Sequence, residues 1–325
     1  MEKIKFKSGL APQLNAFVIY KQTTLKWDEA SIYNLQKFDA YCAEKFPKAS
    51  NLHEDMFEWC EEKPTEHGNS CSFRISPIRE FVRFSRKMAW TKLEVPSPPS
   101  YKKRTYIPHF FSDNEKKQFF IECDEYIIRT INWRKEHSKT RVLVVPVYFR
   151  LLYSTGMRTN EARLLKCSDI DFDNGVINVN DSKGNDKHRV ALHSSIWELL
   201  KKYHKAMSLV MPKRIYFFPD KDDKPFKRGR LEVMFAKIWK KVNDNQRAIA
   251  YNLRHNYAIE NINGWKDIGY DINDKMIYLG RTMGHCKFSS TMHYFSLAPC
   301  FSNKMKDLCE DSFNKILPND YETEN

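Results

Sequence analysis

Four separated segments carry side chains that could together do phosphoryl chemistry. Tyr153-Ser-Thr-Gly-Met-Arg158-Thr-Asn-Glu161 ends a helical pattern at a glycine and sets an arginine just beyond it. Ser182-Lys-Gly-Asn-Asp-Lys187 lies between two short alternating runs, 176–179 and 188–192, which puts Lys183 on the turn of a β-hairpin. The third segment is Tyr251-Asn-Leu-Arg254-His255, and the fourth runs from Gly284-His285 through Thr291 to Tyr294. Two arginines, a lysine and a histidine make a fixed cationic cup that suits a phosphodiester and its pentacoordinate transition state. A tyrosine beside that cup supplies a nucleophile able to form a covalent intermediate. Each residue alone has a plainer reading: a surface arginine, a turn lysine, a core aromatic. Lys187, four residues along the same hairpin, rivals Lys183. Tyr153, Tyr257, Phe288 and Phe295 are core candidates.

The elements that must position these groups are mostly helical. Trp27 to Cys42 places Ile32, Leu35, Phe38 and Tyr41 on one side, and Ile78 to Met88 repeats the pattern with Ile78, Phe81, Val82 and Met88. Residues 12–93 therefore read as a small helical bundle, following a short extension over 1–11. Arg79, Arg83 and Arg86 fall on one helix face, a candidate DNA-facing surface. Residues 94–110 are rich in proline and carry Lys102, Lys103 and Arg104, which suits a linker running along a phosphate backbone. Ser112 and Glu115 then form a capping box. Helices are expected over 113–130, 142–155, 194–208, 230–242, 251–262, 275–283 and 287–294, with the hairpin between the second and third. An amphipathic helix over 304–317 ends at Pro318 and belongs to a C-terminal segment, 304–325, beyond a second domain spanning 111–303.

Taken jointly, the Arg158 segment, the Lys-Gly-Asn turn, Leu-Arg254-His and the Gly-His285 segment with Tyr294 nine residues on resemble the catalytic motifs of the tyrosine recombinases, the phage-type integrase family. The resemblance covers roughly 111–300 in the family's order, and the helical region ahead of it resembles the family's SAM-like core-binding domain. It implies a mainly α fold with a small β-hairpin or sheet (α+β), whose two domains form a C-shaped clamp on DNA. It further implies that Arg158 and Arg254 clamp the scissile phosphate and that Lys183 protonates the leaving 5′ oxygen. His285 would hydrogen-bond the phosphate and Glu161 would support its neighbours. Tyr294 would attack to form a 3′-phosphotyrosyl link, with no metal or nucleotide cofactor. The implied partners are duplex DNA with inverted-repeat core sites and three further copies in a tetramer on two duplexes, with accessory factors open. The C-terminal helix would then dock on a neighbouring protomer.

The sequence departs from the family at Tyr251, where a histidine is usual three residues before the arginine. A phenol, with a reference pKa of about 10, is a poor base at neutral pH, whereas it can still donate or accept a hydrogen bond. That leaves three readings: a site-specific recombinase, a type IB topoisomerase-like relaxing enzyme, and a recombinase-derived DNA-binding protein with weakened catalysis. With only about ten residues ahead of the first helical domain, a simple two-domain enzyme is expected over the larger phage integrases.

Composition agrees with a polyanionic partner. The 325 residues carry a formal charge of +13, of which +2 falls in residues 1–100 and +11 in the rest. The N-terminus has no apolar run of the signal-peptide type, and the longest apolar stretch is far short of the ~20 residues of a membrane span. The eight cysteines show no Cys-x-x-Cys pair, which suits reduced thiols in a cytoplasmic protein.

Overall fold

The computed structural model describes residues 5–23, 29–66, 68–99, 108–130, 136–180, 187–265, 271–295 and 297. Lys102, Lys103, Arg104, Lys183 and the expected 304–317 helix lie outside them. The chain divides into two compact units, Met1–Tyr106 and Ile107–Asn325.

The first unit is built from α1 (Ala11–Thr23), α2 (Glu29–Lys45), a 3-10 turn (Glu54–Cys60) and α3 (Gly68–Lys87). The three-and-four spacing of apolar residues does what it should. Leu35 and Phe38 on α2 and Ile75, Ile78, Phe81 and Val82 on α3 are fully buried with Leu10 and Leu14. Burying one such side chain is worth roughly 1.5–3 kcal/mol. Met88 does not share that fate; it follows the last turn of α3 and is half exposed. The buried Asp39 carboxylate on α2 accepts from the backbone N–H groups of Lys7 (2.6 Å) and Ser8 (3.0 Å), which fixes the chain entering α1.

The second unit begins at the capping box. Ser112 N–H donates to Glu115 Oε2 at 2.8 Å, Glu115 N–H donates to Ser112 Oγ at 3.2 Å, and α4 (Asp113–Thr130) follows. Next comes α5 (Glu136–Thr155), which starts earlier than the expected 142 and runs through Pro146. The proline removes one amide donor, but Val144, Val145, Phe149 and Leu151 bury the helix deeply enough to carry it. The short α6 (Thr159–Leu164) leads to β1 (Ile170–Asp171), β2 (Val176–Val179) and β3 (His188–Ala191). They form one antiparallel sheet in that order, with Val176 opposite Ala191 and Val179 opposite His188. The two-residue β1 was not legible in the sequence.

Helices α7 (Ser194–Val210), α8 (Arg228–Val242), α9 (Asn252–Gly264), α10 (Ile272–Thr282) and α11 (Phe288–Phe295) complete the unit. Both α7 and α9 pack on α5, α8 packs on α4, and α10 touches α11 and β3. Phe119 on α4 meets Phe235 on α8 with ring centroids 4.9 Å apart. The first-turn ends of α6 and α9, the end of α10, the start of β3 and the last turn of α11 thereby meet at one place. No described helix is long and apolar enough to cross a membrane.

Candidate active site

Gly156 makes the first bend. At φ +63° it turns the chain out of α5, and a Cβ there would lie 2.3 Å from the Tyr257 ring. Two residues on, Arg158 sits at the N-cap of α6. Its backbone N–H donates to Glu161 Oε2 at 2.9 Å, and its guanidinium donates to Glu161 Oε1 and to the Gly284 carbonyl. Glu161 is only 3% exposed, so one buried carboxylate both caps the helix and fixes the arginine. His188, at the start of β3, stands 3.9 Å from Glu161, and a Cβ on Gly284 would strike its ring.

Arg254, in the first turn of α9, is 1% exposed. Nη1 donates to the Gly156 carbonyl at 2.6 Å, and Nη2 donates to the Met283 carbonyl at 2.7 Å and to His285 Nε2 at 2.9 Å. A guanidinium has donors only. His285 Nε2 is therefore the acceptor, and the ring hydrogen sits on Nδ1, which donates to Thr291 Oγ1 at 2.8 Å. Thr291 is fully buried, and its hydroxyl occupies space that only Gly280 leaves; a Cβ there would lie 2.7 Å away. Burial first, then the Arg254 and Arg158 charges, push the His285 pKa down to about 4. The imidazole is neutral at pH 7, as its partners require.

Tyr294, one turn beyond Thr291 on α11, is 4% exposed. Its ring lies nearly parallel to that of His285, 9° and 6.0 Å between centroids. The His255 ring is tilted against that of Tyr294 with centroids 5.4 Å apart, and Tyr251 meets His255 edge-on at 5.0 Å. Burial raises the Tyr294 pKa, while the Arg254 guanidinium opposes that rise through its charge and a hydrogen bond. The phenol is protonated at rest. His255 is pushed down to about 4 by burial, then by Arg254 and His293.

Arg158, Glu161, Arg254, His285, Tyr251 and Tyr294, singled out from sequence, thus converge in one place. Lys183 lies outside the described residues; Lys187 is exposed beside the start of β3. Arg79 Nε donates to the Pro96 carbonyl at 2.8 Å. Arg86 reaches Glu94 at 3.3 Å, and Arg83 is exposed. Phe288 is exposed rather than core, whereas Tyr257 packs beneath Gly156 and Tyr153 donates to Glu260 at 2.8 Å. Sequence reasoning missed Gly280 and His188, and placed Thr291 in the fourth segment without giving it a role. Thr291 alone had a local signal: it lies on the helix bearing Tyr294, three residues before it.

Residues 125–299 match the model of the phage integrase family, more than half of the chain. The chain belongs to the phage integrase family. Among its relatives is the "Probable integrase/recombinase" of Acholeplasma phage L2, 30% identical over 192 residues; the match covers 58% of this chain and 61% of that protein. The chain thus spans about three fifths of that relative's length. Tyrosine recombinase XerC of Pediococcus pentosaceus is 24% identical over 255 residues, covering 77% of this chain and 76% of the relative. Among solved structures, the XerH site-specific recombinase bound to a palindromic difH substrate matches with a TM-score of 0.60 at 18% identity, over 86% of this chain and 78% of that one. A lambda integrase dimer bound to a core site matches with a TM-score of 0.56 at 14% identity, over 88% and 76%. The fold is that of these integrase-family enzymes, mostly helical with a small three-stranded sheet.

Proposed function

We propose that this protein is a site-specific DNA recombinase that cuts and rejoins duplex DNA through Tyr294, serving integration, transposition or resolution of a mobile element. The observation that carries the reading is a buried phenol stacked on a neutral imidazole and hydrogen-bonded by the Arg254 guanidinium, in the same cluster as Arg158. Arg158 and Arg254 are oriented by a carboxylate and by backbone carbonyls, so little reorganisation accompanies phosphate binding. If the Nη2–H now given to His285 goes to a phosphate oxygen, with both carbonyl bonds kept, His285 Nε2 is released. Because the Thr291 hydroxyl can donate as well as accept, the imidazole can then change tautomer and offer Nε2–H to the phosphate.

Tyr294 Oη gives up its proton to a base of the site and attacks phosphorus; the 3′-phosphotyrosyl bond forms as the P–O5′ bond breaks, and the 5′ oxygen leaves with a proton from Lys183. The reverse attack by a 5′ hydroxyl of the partner strand rejoins the duplex, so the phosphodiester energy is conserved in the protein link. The helical first unit holds the DNA with the second, and several copies act together. The lambda integrase tetramer bound to a Holliday junction, a protein of the same fold, supports that assembly.

The test uses a pool of nicked suicide duplexes with randomised arms. A covalent protein–DNA adduct is expected on a denaturing gel and is lost in Tyr294→Phe. An adduct that survives in that variant removes Tyr294 from the chemistry. A mobility shift without any adduct would favour the second reading, a DNA-binding protein without catalysis, which the phenol at Tyr251 motivates.

A further inference from the structure

A nucleophile that is protonated and buried requires a proton acceptor, and few groups face it. On α9 these are Tyr251, Arg254 and His255; on α11, His293; on the α10–α11 turn, His285; and on α6, Glu161 and its partner Arg158. Arginines accept nothing, and His293 is exposed, its ring tilted by 55° and 6.0 Å from that of the buried Tyr294. Glu161 is engaged by Arg158 through both its oxygens. Tyr251 is a phenol and offers no basic nitrogen. His285 has its one lone pair directed at Arg254 and its ring hydrogen at Thr291. His255 differs: its ring packs against that of Tyr294, and its Nδ1 is buried with no hydrogen-bond partner among the described residues, the Tyr294 hydroxyl included, so the phenol must turn on phosphate binding to reach it. A buried imidazole nitrogen without a partner costs free energy, and one on a ring packed against the nucleophile calls for an explanation.

We propose that His255, rather than Tyr251, takes the Tyr294 proton during strand cleavage and returns it during rejoining. The inference rests on the recombinase reading above. As the Oη–P bond forms, the phenolic proton passes to His255 Nδ1 and leaves an imidazolium. The electron pair of the breaking P–O5′ bond goes to the 5′ oxygen, which takes its proton from Lys183. In the DNA-free protein, burial and Arg254 keep the imidazole unprotonated at neutral pH, with its lone pair available. A bound phosphate brings negative charge that offsets Arg254 and stabilises the imidazolium. The arrangement accounts for a chain that lacks the usual histidine at position 251: the adjacent turn of α9 carries an imidazole to the same phenol.

The experiment is single-turnover cleavage of nicked duplexes recovered from the adduct pool. In His255→Asn, adduct formation at pH 7 is expected to slow about 100-fold, with unchanged affinity in a mobility shift. Replacing Tyr294 by 3,5-difluorotyrosine lowers the phenol's own pKa, and in the His255→Asn background it should recover tenfold or more of the loss. His255→Ala, with added imidazole, provides a second variant should the asparagine fold poorly. Cleavage by His255→Asn within threefold of the parent rate overturns the proposal. So does a loss that neither the fluorinated phenol nor imidazole relieves, because a merely structural histidine would behave that way. In both cases the adduct made by the parent protein, and its absence in Tyr294→Phe, leave the recombinase reading standing. No adduct from the parent protein at all would overturn both.

Discussion

His255 and His285 each sit well below the ordinary imidazole pKa, for the same two reasons: burial and the Arg254 guanidinium. The consequence for stability has a definite sign. A histidine whose folded pKa is depressed is neutral in both states above about pH 6.5. Below that the unfolded chain takes up a proton that the folded chain refuses until about pH 4, so stability falls as pH falls through that window. Each group should contribute on the order of 1–2 kcal/mol of loss between pH 7 and pH 5, after discounting for partial solvent access. Urea unfolding at the two pH values reads this. His204 is also held below its usual value and acts in the same direction, so the decisive comparison is with a variant. His285→Asn should show a smaller drop than the parent chain. An equal drop in both would mean that His285 titrates normally in the folded protein.

Elements, in turn, decide where those residues can meet, and two kinds of signal behaved differently. The capping box at Ser112 and the hairpin over 176–191 were legible because their information is local. A hydroxyl and a carboxylate three residues apart, or two alternating runs around a polar turn, need no distant partner. The start of α5 and the two residues of β1 were not, because tertiary packing rather than local pattern sets them. The same holds at the site: Arg158, Arg254, His285 and Tyr294 could be picked out by motif. The role of Thr291 depends on Gly280, from another helix, and that of His188 on the close approach of Gly284. Gly156 joins both kinds, ending α5 visibly in sequence and admitting the Tyr257 ring invisibly. Gly156→Ala combines a positive φ with a collision, and should cost about 2–4 kcal/mol in chemical denaturation. It should also dislodge the carbonyl that Arg254 holds. A variant as stable as the parent would show that this bend is not fixed in the folded chain.

For the whole molecule, charge is the property that reaches furthest. A net +13, concentrated after residue 100, favours any phosphate backbone regardless of sequence. Within the first unit the candidate basic face is partly committed elsewhere: Arg79 holds the Pro96 carbonyl, Arg74 is paired with Glu66, and Arg86 faces Glu94. Of the singled-out trio, Arg83 is exposed and makes no ion pair or hydrogen bond among the described residues. That shifts the expected phosphate contacts of this part of the chain towards Lys102, Lys103 and Arg104. Each phosphate neutralised on duplex DNA contributes about 0.9 to the slope of log affinity against log salt. Replacing the three with alanine should therefore flatten that slope by about 2–3 and weaken binding to unrelated duplexes as much as to the cleaved site. Fluorescence anisotropy across a salt titration, with both kinds of duplex, measures it. A triple variant with the parent's slope would take the linker off the backbone and return the electrostatic role to the second unit. A loss confined to the cleaved site would mean that these cations read sequence instead of charge.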